Sequence, residues 1–105
     1  MQPETIVKKM FDALIDSLGE EYERAEHDVN NILKTKEARL KNLSEKRLNG
    51  SISEQELHSY LEDEKDMLTM ELNTLHVIGK ASAQRAVNAA LDVFNDGIDK
   101  ALKAL

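Results

Sequence analysis

Leu48-Asn49-Gly50-Ser51-Ile52-Ser53-Glu54-Gln55-Glu56 decides the fold. Asn49-Gly50 stops a helix, because glycine readily takes the left-handed conformation that a helix C-terminus needs. Ser53 and Glu56 have the spacing of a capping box, in which each side chain satisfies the other residue's amide. Ile52 before the cap and Leu57 after it supply the matching hydrophobic staple. The stretch is therefore a corner between two helices.

Towards the N-terminus an apolar stripe reads Val7, Phe11, Leu14, Leu18, Tyr22, Ala25, Val29, Ile32, Leu40 and Leu43, interrupted by Lys36. Val7, Leu18, Val29 and Leu40 recur every eleven residues, the period of a nearly straight helix. Pro3 suits the first helical position, with Glu4 at the positive end of the dipole. Towards the C-terminus Leu57, Leu68, Gly79, Ala90 and Ala101 keep the same step. These patterns predict an all-α chain with one domain over residues 1–105. Its helices are expected at about 3–48 and 54–103, joined by a turn at 49–53. The arrangement is a long antiparallel two-helix hairpin of coiled-coil type, about 65–75 Å long at ~1.5 Å per residue.

Folding about the turn pairs residues whose numbers sum to about 101, which sets Tyr22 near Gly79, Leu18 near Ala83 and Phe11 near Ala90. Large residues meet small ones, as dense packing requires. Charge supports the same alignment. Lys34, Lys36, Arg39, Lys41, Lys46 and Arg47 face the acidic run Glu54, Glu56, Glu62, Asp63, Glu64, Asp66 and Glu71.

The apolar positions near the free end spread too widely for one neighbour. Val7, Met10, Phe11, Leu14, Ile15 and Leu18 cover about half of the first helix. Ala90, Leu91, Phe94 and Ile98 spread as widely on the second. A homodimer through these residues, forming a four-helix bundle, is the expectation. The charged arm near the turn is expected to project as a two-helix tip.

Composition narrows the function. Among 105 residues, 41% are hydrophobic, 32% charged and 4% aromatic, with no Trp and no Cys. Disulfides, thiolate catalysis and cysteine zinc sites are thereby excluded. A net charge of −6 argues against nucleic acid or an anionic membrane as partner. Met1-Gln2-Pro3-Glu4 lacks the features of a secretory signal, so the expected compartment is the cytoplasm, although leaderless export leaves no such mark.

Candidate chemistry is sparse. Asn49 to Glu56 matches the latter half of a calcium loop, but Arg47 would occupy an early ligand position. Glu23, His27 and His76 could approach one another across the hairpin. Their spacing lacks the Glu-x-x-His pattern of di-metal bundles. No metal, cofactor or catalytic residue is expected, and an enzyme is not. Asp12, Asp16, Glu20 and Glu23 recur at helical spacing opposite the apolar stripe, as a partner face or a solvated one. The outline is similar to that of small secreted helical hairpins of the WxG type, although the turn here is Leu48-Asn49-Gly50 and Trp is absent.

The expected function is a self-associating, non-enzymatic interaction module, an adaptor or assembly factor. The alternatives are a leaderless secreted hairpin effector or carrier, and a metal-binding bundle.

Overall fold

The computed structural model describes residues 2–105; Met1, part of the N-terminal stretch read above, lies outside them. Five helices are present among the described residues: α1 (Pro3–Leu18), α2 (Glu20–Arg24), α3 (Glu26–Leu48), α4 (Glu54–Asn73) and α5 (Lys80–Lys103). No strand occurs among the described residues.

The corner forms as the sequence predicts. Ser53 Oγ accepts from the Glu56 amide at 3.1 Å, and Glu56 Oε1 accepts from the Ser53 amide at 3.0 Å. Gly50 sits at φ +81. Asn49 Oδ1 accepts from the Ser51 amide at 2.9 Å and tightens the bend.

The two long helices are not continuous. The first breaks at Gly19, at φ +56 and ψ −123, and again at Ala25. The second breaks between Asn73 and Lys80, where Val77, Ile78 and Gly79 are all poorer helix formers than alanine. Both breaks fall at the end of the fold away from the 49–53 turn, where the Gly79 amide donates to Glu21 Oε2 at 3.1 Å. The chain folds back on itself there, and its longest dimension is 41 Å, not 65–75 Å. The outline therefore departs from that of a long secreted hairpin.

Within each half the expected register is visible. Lys36 Nζ lies 2.9 Å from Glu71 Oε1, and Arg39 Nε lies 3.4 Å from Glu64 Oε1. A Cβ on Gly97 would stand 3.2 Å from Ile6 Cγ1 and Cγ2. The fold-back adds new pairs, such as Lys41 Nζ with Glu4 Oε1 at 3.1 Å. The charged arm thus does not project as a tip: α3 packs against α1 as well as α4.

The result is an up-down bundle of α1, α3, α4 and α5 in which neighbours in sequence are neighbours in space. The closest pair is α1 with α5, because Ala83, Ala86, Ala90, Gly97 and Ala101 are all buried on α5. Small residues there let the backbones approach. The core runs the length of the fold, from Leu40, Leu43, Leu57 and Leu61 to Val29, Leu72 and Ile78.

The residues expected to join two copies are accounted for within one chain. Val7, Met10, Leu14, Leu18, Ala90, Phe94 and Ile98 are buried, and Phe11, Ile15 and Leu91 are half-buried. The physical reason is simple: an apolar band half a helix wide needs two neighbours, and the fold-back supplies the second without a partner chain.

Candidate functional site

The acidic residues are divided by the Gly19 bend. Asp12 and Asp16 lie exposed on α1, while Glu20 and Glu23 lie exposed on α2. They do not form one continuous helix face. Asp12 Oδ2 is 3.3 Å from Lys8 Nζ, one turn away.

Their neighbour Glu21 has a structural task that the acidic pattern did not reveal. It caps α5 from another helix, and its carboxyl is held below the ordinary 4.5, first by the Gly79 amide and then by a hydrogen bond with Ser82. A group with a depressed folded pKa stabilises the fold above its unfolded pKa, and that stability is lost as pH falls through the folded value. Wild-type protein is therefore expected to be more stable than Glu21→Gln at pH 7. The two should converge as the pH is lowered below about 4.5. Urea titrations of both proteins across this range provide the check.

Glu23 and His27 border one shallow recess with Glu26 and Asp28, but His76 is not among its lining residues. The His27 Nε2 atom is 3.2 Å from Asn31 Nδ2. Among the described residues, no three His, Cys, Asp or Glu side chains are grouped closely enough to hold a metal ion.

A second recessed face lies between α4 and α5. These antiparallel helices are neighbours but stand less closely together than α1 and α5. Three recesses follow one another along the gap. Near the hinge, a recess of about 400 Å³ is bordered by Met70, Lys80 and Asn88. The next, of about 420 Å³, shares Lys65 and Asn88 with it and reaches Leu61 and Leu91. The last, of about 910 Å³, shares His58 and Asn95 and ends over Leu57, Ile98 and Leu102. Helix spacing puts Leu91, Ile98 and Leu102 on one side of α5, and Leu57 and Leu61 one turn apart on α4.

The rim is of mixed sign. Arg47, Lys65 and Lys103 stand with Glu54, Glu62, Asp92 and Asp99, separated by the amides of Gln55, Asn88 and Asn95. An apolar floor inside a polar rim suits the apolar face of an amphipathic helix. At the hinge end of the groove Met70 is exposed at 64%, and methionine adapts to irregular partners.

Of this groove, the sequence reading named Leu91 and Ile98, but assigned them to a dimer. Leu57 was legible only as a staple and stripe residue. On the α3 side of α4, Arg39 lies 5.1 Å from the Tyr60 ring centroid and also pairs with the buried Glu64. That face is already occupied by its own side chains. No described helix is long and apolar enough to cross a membrane. Comparison with protein-family models, curated proteins and solved structures finds no match.

Proposed function

We propose that the protein is a non-enzymatic interaction module whose α4–α5 groove receives an amphipathic helix from a partner protein. One observation carries this reading: recesses between α4 and α5 where half-buried Leu91 and Leu102 lie beside buried Leu57, Leu61 and Ile98, flanked by mixed charges and amides. The mixed rim favours a protein ligand over a polyanion, which would require a basic surface. An adaptor or assembly role follows from a bundle that holds one helix. Val7, Leu14 and Phe94, expected at a seam between two copies, are buried within one chain.

A photo-crosslinking residue at Asn95 should capture a helical segment of one partner in the native cell. Leu91→Asp together with Leu102→Asp should abolish that adduct. Both leucines are only half-buried, so helicity should survive. A crosslinker at Glu37, on a different face, should not give the same adduct. Equal capture from both positions, or capture indifferent to the aspartates, would remove the groove from consideration.

A further inference from the structure

We infer that the bundle is a hairpin closed at a double hinge, and that two copies can open and exchange halves to form a longer four-helix rod. The inference does not depend on the groove's ligand. It rests on the relation between the sequence repeat and the two breaks.

The eleven-residue steps pass through both breaks without a change of phase. Val7, Leu18, Val29 and Leu40 span Gly19 and Ala25, and Leu57, Leu68, Gly79, Ala90 and Ala101 span residues 74–79. A permanent corner requires no such continuity, since each helix could take its own phase. The pairing register also persists across the hinge. Arg39–Glu64 on one side, Glu21–Gly79 at the hinge and Ile6–Gly97 beyond it all follow the line of one hairpin.

The hinges lie at the same level, so straightening both swings α1 and α5 away as a pair. This pair would meet the α3–α4 half of a second copy. Contacts now made within one chain, such as Glu4 with Lys41, would then be made between chains. The closed form retains two features that the open form loses: the Glu21 cap on Gly79 and the buried seat of Ile78. Gly19 favours the closed form too, because its positive φ suits glycine alone and glycine is a poor residue inside a continuous helix. The balance between the two forms is set by hinge residues, because the bundle contacts are common to both.

Two substitutions move this balance in opposite directions. Gly19→Ala strains the closed form, although its Cβ would meet nothing within 4 Å. In a straight helix the same alanine is better than glycine. Each chain should gain about tenfold towards opening, raising the dimerisation constant about a hundredfold. Glu20→Pro does the reverse. Residue 20 begins α2 after the Gly19 cap, where proline is tolerated, but inside a continuous helix it is not.

Light scattering and small-angle scattering after refolding at millimolar concentration test the proposal. Gly19→Ala should give a dimer about 70 Å long, whereas Glu20→Pro and the double variant should remain monomers of about 41 Å. The chain lacks cysteine, so Lys9→Cys with Glu37→Cys gives a clean label pair. In trace labelled chains this distance should grow to about 40 Å in the dimer. A folded, monomeric Gly19→Ala protein would overturn the inference, as would a dimer in which the label pair stays short. Should Gly19→Ala fail to fold, refolded wild type decides: an extended dimer abolished by Glu20→Pro supports exchange, and its absence refutes it.

Discussion

Phe94→Ala is expected to destabilise the protein by about 3–5 kcal/mol. Phe94 is the largest of the fully buried side chains and has no exposed surface. Truncation removes an aromatic ring from the α5 side of the core and leaves a cavity that stiff helices cannot close. Small domains are stable by about 5–15 kcal/mol, so the variant should fold with a much lower urea midpoint. Phe94→Lys is a stronger test, because it places an ammonium at a fully buried position. If Phe94 served chiefly to join two copies, the lysine variant would be a well-folded monomer. As part of a single-chain core, it should instead lose helical ellipticity at any concentration. Leu14→Lys should behave in the same way, since Leu14 is equally buried on α1.

This contrast marks what hydrophobic patterning can and cannot convey. Stripes at three- and four-residue steps identify the side chains that leave water, and Val7, Leu14, Phe94 and Ile98 do leave it. They do not specify which chain covers them. An apolar band half a helix wide calls for two neighbouring helices, and a second copy or a fold-back meets that need equally well. The fold-back avoids the entropy lost in bringing two chains together. Its cost is concentrated at a few hinge residues.

Those residues gave little local warning. Gly19 and Gly79 each disfavour a straight helix by only about 1 kcal/mol, and the apolar phase continues through both. The corner at 49–53 was legible because its signals are chemical and local: a glycine stop, a reciprocal cap and a staple. The α4–α5 groove was less so. Its floor residues belong to the same stripes as the core, and only the spacing of the two helices separates Leu91 and Leu102 from buried neighbours. Glu21 shows the opposite case, since its place near Gly79 follows from the hairpin register once it is asked which amides begin α5.

The α1–α5 seam offers the second large effect. A Cβ at Gly97 would lie 3.2 Å from both Ile6 Cγ1 and Cγ2. Ile6 is 1% exposed and β-branched, so it cannot readily swing away. Gly97→Ala combines a helix-propensity gain of about 1 kcal/mol with crowding of similar size. Its stability should therefore stay within about 1 kcal/mol of wild type. Gly97→Leu has no comparable compensation and should cost about 2–3 kcal/mol. Ile6→Ala alone should cost about 2–5 kcal/mol through the cavity it creates. In the double variant the leucine can occupy that cavity, so its loss should fall short of the sum by about 1–3 kcal/mol. Urea denaturation of the four proteins measures this coupling. Strict additivity would show that the close approach of α1 and α5 is not limited by the Gly97–Ile6 contact, whereas a favourable coupling would locate the seam's tightest point there.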